Sequence, residues 1–355
     1  MKGNVIRWML AVVMICALAV LVSSPALAEE YVLGMEQTVF GMPAQADGWV
    51  SIPGKDALND DRVLSGGTAQ AYVLKYSKND GVWNVTDKAA AVSKFDWKFY
   101  EDPTISVRTE YASLIPAYKN KQIQSSITYI TVADASQVRT AMSYDDYSKR
   151  TYVKAEKLAA HVNAIAAVNG DFFKYHYNVG YVLRQGEFYR DKLNGKRDAL
   201  IIDSNGDFRA VYAATSDSMA AALGELPEGV SAVNTFTLGP VLVEEGRART
   251  IKETSVADSG EFQWCYPQQR VAIVQVGPLS YAIVETYGKT DSSMGMTLQE
   301  FADYIAYLFP ECQLAYNLDG GGSTNVVVDG KRVHTTPGNR EISDILYFAS
   351  AYTEK

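Results

Sequence analysis

Five stretches of this chain place an apolar, strand-forming run on each side of a tight-turn signal. They are YVLRQGEFYR, bending at Gln185-Gly186; ALIIDSNGDFRAVY, at Asn205-Gly206; GPVLVEEGRARTI, near Gly246; VAIVQVGPLSYAIVETYG, at Gly277-Pro278; and NVVVDGKRV, at Asp329-Gly330. A turn this short returns the chain beside the strand it has just left, so each unit pairs antiparallel. A doubly wound parallel sheet needs a long crossover between strands and is disfavoured. TISVRTEYA, SSITYITVAD and QLAYNL read as further strands, and AIAAVNG as a buried strand running into a turn. Helices are few. YVKAEKLAAH sets Ala155, Leu158 and Ala159 on one face and Val153, Lys157 and His161 on another. In MTLQEFADYIAYLFPE, Thr297 and Glu300 fit a capping box, Phe301, Ile305 and Leu308 mark a buried stripe, and Pro310 stops the helix. The expected fold class is α+β: a large, mostly antiparallel mixed β-sheet flanked by a few helices, forming one domain over residues 101–355.

The N-terminus reads differently. Lys2 and Arg7 precede an apolar run from Trp8 to Val22, followed by SSPALA. A positive start, a short apolar segment and the small-residue end Ala26-Leu27-Ala28 make a secretory signal, with cleavage expected after Ala28. The run is short for a bilayer span, and no later stretch approaches membrane length. The mature chain is therefore expected to be secreted or held in the cell envelope, with no stable membrane span. Residues 29–100 are rich in turn signals and read as an N-terminal extension or small subdomain. Cleavage removes Cys16, leaving Cys265 and Cys312, which an oxidising compartment would allow to pair if the fold brings them together. The formal net charge of -8, with Lys and Arg scattered rather than striped, argues against nucleic acid as a partner.

Polar residues cluster where apolar strands end, the place where scaffolds present functional side chains. AAVNGDFF places Asn169, Gly170 and Asp171 there. AYNLDGGGST places Asn317, Asp319, Gly320, Gly321, Gly322, Ser323 and Thr324. TFTLGPVLV holds Gly239 before Pro240, CYPQQRVAI puts Arg270 at a strand mouth, and GNREISDILYF brings Arg340, Glu341, Ser343 and Asp344 to the last strand. Asn-Gly-Asp by itself is ordinary turn chemistry. Three glycines exceed what a turn needs and point to close backbone approach, with free amides that would suit an anion. No G-x-S-x-G, Walker or H-E-x-x-H signature occurs. Histidines number three, His161, His176 and His334, so a histidine zinc site is not expected. Acid–base work would fall to Asp171, Asp319, Glu341 or Asp344.

Taken in order, AVNGDFF, FTLGPVLVEEGR, QQRVAIVQVG, GMTLQEFADYI, NLDGGGSTNVVVDGKRV and REISDILYF resemble the phosphodiester glycosidase family, over about residues 105–352. Two departures stand out. The family pattern Pro-Arg-Thr-Ala-Ile-Gly is Gln269-Arg270-Val271-Ala272-Ile273-Val274 here, and GGGSST is GGGSTN. The resemblance implies an exported hydrolase that cleaves a sugar-1-phosphodiester, of N-acetylglucosamine type, at the anomeric C–O bond. It implies Asp319 or Asp171 as catalytic carboxylate, with Asp344 beside them. Arg270 and the Gly320–Thr324 backbone would take the phosphate, and Asn169 and Asn317 the sugar hydroxyls. No cofactor is called for, although Asp171, Asp319 and Asp344 are of a type that holds a divalent cation. Two other readings remain open at this level: a metal-dependent phosphodiesterase cleaving P–O, and a non-catalytic module that binds cell-wall glycan.

Overall fold

A computed structural model describes residues 99–114, 123–174, 179–252, 264–290, 293–334 and 339–351. The signal segment, Cys16, His176 and the extension up to residue 98 lie outside these. The largest sheet has eight strands. In spatial order they are β1 (Phe99–Asp102), β2 (Ile105–Leu114), β3 (Ile123–Val132), β14 (Ser280–Thr286), β13 (Arg270–Gly277), β15 (Leu314–Asn317), β11 (Val241–Glu244) and β12 (Arg247–Ala248). A five-stranded sheet runs β17 (Lys331–Arg332), β16 (Val326–Val328), β5 (Ala166–Asn169), β18 (Asp344–Phe348), β4 (Val138–Met142). A three-stranded sheet holds β10 (Ala232–Phe236), β8 (Ala199–Asp203) and β9 (Phe208–Val211), and β6 (Gly180–Arg184) pairs with β7 (Glu187–Lys192). The α+β expectation holds. Every pairing among the described residues is antiparallel, so the sheets are not mixed.

Side-chain alternation shows how the sheets stack. On β13, Val271 and Ile273 enter one core with Val168, Val326, Leu346 and Phe348 of the five-stranded sheet. Their neighbours Ala272 and Val274 enter another, with Phe301 and Ile305 of α3 (Leu298–Leu308). On β18, Ile345 and Tyr347 turn the opposite way from Leu346 and pack on Leu158 and Ala159 of α1 (Ala155–His161). The layers are thus α3, eight strands, five strands, α1. Because both sheets are covered on both faces, β13 and β18 read as unbroken apolar runs rather than as alternation. A third helix, α2 (Ser216–Gly224), lies over the three-stranded sheet.

Local signals account for the element ends. Gln185-Gly186, Glu245-Gly246 and Asp329-Gly330 each put two successive residues at positive φ, the backbone that matches the twist of a tight hairpin. At the Gly277-Pro278 bend the left-handed residue is Leu279. The Thr297 hydroxyl accepts from the Glu300 amide at 3.2 Å while the Glu300 carboxylate accepts from the Thr297 amide at 2.8 Å. Phe301 and Ile305 are buried as expected, and Leu308 is half-buried at the helix end. Cys265 and Cys312 are free thiols, the first exposed and the second buried.

Candidate active site

Strand β5 ends at Asn169 and its continuation lies beside the start of β18, where the Gly170 amide donates to the Asp344 carbonyl at 3.0 Å. The Asp344 carboxylate crosses the place where a side chain at 170 would stand. A Cβ there would lie 2.1 Å from Asp344 Oδ2, so only glycine fits. One residue on, Asp171 turns toward the same point. Arg184, at the end of β6, donates through one nitrogen, Nη2, to Asp171 Oδ1 at 2.9 Å and to Asp344 Oδ2 at 3.0 Å. All three side chains are almost fully buried. The remaining carboxylate oxygens are held as well: Asp171 Oδ2 accepts from the Thr237 amide at 2.8 Å, and Asp344 Oδ1 from the Ser343 hydroxyl at 2.9 Å. Two buried carboxylates this close repel unless a cation lies between them. Here that cation is Arg184, flanked by the rings of Phe173 and Phe236 at 5.1 and 4.5 Å.

Asp319 approaches from the other sheet. Its amide donates to the Gly170 carbonyl at 3.2 Å, and its carbonyl accepts from Asn169 Nδ2 at 2.7 Å. Its Oδ2 is buried with no hydrogen-bond partner, a costly state for a carboxylate oxygen unless a ligand or proton completes it. Burial pushes the Asp319 carboxyl up to about 6; a hydrogen bond from Ser323 and the charge of Arg340 act against this, while Asp344 and Asp171 add to it. Burial likewise lifts Asp344 to about 6, opposed by Arg184 and reinforced by Asp171.

The glycine run has divided duties. A Cβ on Gly320 would meet the Gln269 carbonyl at 2.9 Å, and Gly321 has φ +59. Both positions need glycine. The amides of Gly321, Ser323 and Thr324 donate to the carbonyls of Gln269, Gly320 and Gly321. Gly320 and Gly322 are left as the amides of the run with no internal acceptor among the described residues, so the expected five-residue anion nest shrinks to two donors. Arg340 is exposed over this loop. Its amide donates to the Gly322 carbonyl at 2.9 Å, and its Nη1 reaches Ser323 Oγ at 3.4 Å. The Thr324 hydroxyl and Asn317 Oδ1 are buried without partners. Asn317 Nδ2 donates to the carbonyl of Gly239 at 2.8 Å, which ties the Gly239-Pro240 turn to the site.

Two expectations need correction. The Arg270 side chain serves backbone carbonyls. Its Nε and Nη2 donate to the carbonyls of Met296 and Tyr266 at 3.0 and 2.9 Å, and burial lowers it to about 10. Arg340 is the arginine at the glycine loop. Asn169 is buried and serves the backbone, its amide nitrogen holding the Asp319 carbonyl and its oxygen accepting from the Asn325 amide at 2.9 Å. Among the described residues no three His, Cys, Asp or Glu side chains converge to hold a metal ion, and the cation shared by Asp171 and Asp344 is a guanidinium. Glu341 is exposed, and no hydrogen bond joins it to the aspartates among the described residues. Arg184 was not anticipated, since an arginine just before a hairpin turn usually faces solvent.

The phosphodiester glycosidase family profile matches residues 162–349, and the chain belongs to that family. The fold is shared with the catalytic domain of zebrafish N-acetylglucosamine-1-phosphodiester alpha-N-acetylglucosaminidase, described as auto-inhibited by its pro-peptide. The two are 18% identical with a TM-score of 0.55, over 73% of this chain and 87% of that one. A hypothetical protein from Synechocystis is similar at a TM-score of 0.48 and 15% identity, covering 69% of this chain and 62% of its own. A protein from Burkholderia pseudomallei reaches a TM-score of 0.42 at 16% identity, over 64% and 74% of the respective chains. No curated protein matches by sequence. As a member of this family the chain is a hydrolase.

Proposed function

We propose that this hydrolase cleaves sugar-1-phosphodiesters at the anomeric C–O bond. The observation that carries the reading is the Asp171–Arg184–Asp344 cluster with Asp319 held against Gly170 beside the glycine loop, one Asp319 oxygen being unpartnered. Water adds to the anomeric carbon, the bond from that carbon to oxygen breaks, and its electron pair leaves on the phosphate monoester. Such a leaving group needs little help from an acid. The chain has instead to activate water and to favour positive charge on the sugar. Asp319 takes the water's proton. Asp171 and Asp344, locked by Arg184, set the negative field behind the ring. Arg340 and the amides of Gly320 and Gly322 face the phosphate, while Asn317 Oδ1 and the Thr324 hydroxyl accept from sugar hydroxyls. The reading includes export, with mature chains beginning at Glu29, and a sugar of N-acetylglucosamine type.

Hydrolysis of the methyl phosphodiester of N-acetylglucosamine 1-phosphate in heavy-oxygen water tests this. The expected outcome is label in the sugar. Label in the phosphate would place cleavage at P–O and favour the phosphodiesterase reading. Saturable glycan binding without turnover of any sugar-1-phosphodiester would favour a binding module.

A further inference from the structure

A cavity of about 330 Å³ opens beside Phe173, two residues along the chain from Asp171. Its wall is aromatic: Tyr147 stacks on Phe173 at 5.6 Å between ring centroids and on Tyr189 at 4.6 Å. Its charge is unlike that of the chain as a whole. The protein carries a net charge of -8, yet Arg150, Lys174, Arg190 and Lys192 all line this space and no carboxylate does. The nearest acids on the neighbouring turn are otherwise engaged, Asp145 with His161 and Asp146 with Lys149.

Two of the four cations are built in. Lys174 is buried, and its ammonium donates to the Ser143 carbonyl at 3.0 Å, the Ser143 hydroxyl at 2.9 Å and the Thr151 hydroxyl at 3.3 Å. Arg190 is buried too; its two terminal nitrogens donate to the Phe173 carbonyl at 3.3 and 3.2 Å, and its Nε has no hydrogen-bond partner among the described residues. Burying two cations side by side is expensive; Asp344 acts on Lys174 and Asp171 on Arg190, while the cavity's own lining supplies no counter-charge. Arg150 and Lys192 are exposed at the rim. The cavity is also joined to the reaction centre. Phe173 and Lys174 continue the loop that carries Asp171, and Phe173 lies between the cavity and the guanidinium of Arg184.

We propose that this cavity is the aglycone subsite and that it receives a second phosphate carried by the aglycone. The substrate class is then a sugar joined through one phosphate to a polyol or sugar bearing another. The inference rests on the hydrolase reading above, because it assumes that the scissile phosphate lies at the glycine loop. Stacked aromatic rings suit the carbon skeleton of such an aglycone, and the cationic floor suits its terminal phosphate.

Calorimetry with glycerol 3-phosphate, and with glycerol as the neutral control, tests the pocket directly on the full mature chain. The doubly substituted Arg150→Glu, Lys192→Glu protein changes rim residues alone, and its thermal midpoint verifies that it folds. Expected is saturable binding of glycerol 3-phosphate, absent for glycerol, and weakened about tenfold or more in the variant. Equal binding to both proteins, or to neither, overturns the proposal. Kinetics adds a second readout: the KM for a substrate with a phosphorylated aglycone, divided by that for a methyl aglycone, should rise in the variant. An unmoved ratio counts against the subsite. Failure to turn over either substrate would sink the hydrolase reading by itself, while the calorimetry still decides whether the cavity takes a phosphate.

Discussion

One oxygen of Asp319 is buried without a partner, whereas those of Asp171 and Asp344 are all engaged. Asp319→Asn is therefore expected to lower kcat by about 10²–10⁴, the usual range for losing a general base, with a much smaller change in KM. Because burial lifts Asp319 to about 6, its ionised form is lost as pH falls through that value. The pH profile of kcat/KM should fall away on the acid side near pH 6, and a variant with full activity or an unchanged profile would remove Asp319 from this role. Gly170→Ala would drive a methyl group into the Asp344 carboxylate, and the expected loss is about 1–3 kcal/mol in urea unfolding together with a drop in kcat. The aspartates were legible in the sequence because each follows or precedes an apolar strand beside a turn. The arginines were not. A long side chain can point to either face of its strand or back along it, so Arg270 sits at a strand mouth and serves carbonyls while Arg184 reaches the carboxylates from a hairpin end.

Short-range rules worked at the level of elements. The α3 capping box, the apolar face of α1 and the turn positions are all written in residues a few places apart. Thr297→Ala should cost about 1 kcal/mol, read as a lower urea midpoint, because it strips the Glu300 amide of its acceptor. How the strands divide among sheets was not readable. Strand β18 pairs with β4 and β5, and β14 with β3, contacts between residues far apart along the chain that no local pattern encodes. For the same reason the four-layer stack became visible only from which neighbours each alternate side chain meets.

Several buried carboxyls act together on the whole molecule. Burial raises Asp134, Asp319 and Asp344 from 3.8 to about 6, and Glu285 from 4.5 to about 8. A raised carboxyl binds its proton more tightly folded than unfolded. Its contribution to stability is complete below about pH 4 and is lost as pH climbs through the folded value. The urea midpoint should therefore decline between pH 5 and pH 8, more gently in Asp319→Asn. A midpoint that is flat or rises over that interval would contradict this account of the buried charges.

Asp319 arrives with the eight-stranded sheet, and Asp171 and Asp344 with the five-stranded one. Asp344 shares its side of β18 with Leu346 and Phe348, so sliding that strand by one residue would swing the carboxylate round to face α1. Chemistry in this protein is consequently a proofreader of its own assembly. Chains whose two halves have docked out of step would be compact and inert, and turnover per molecule would count those that had aligned correctly.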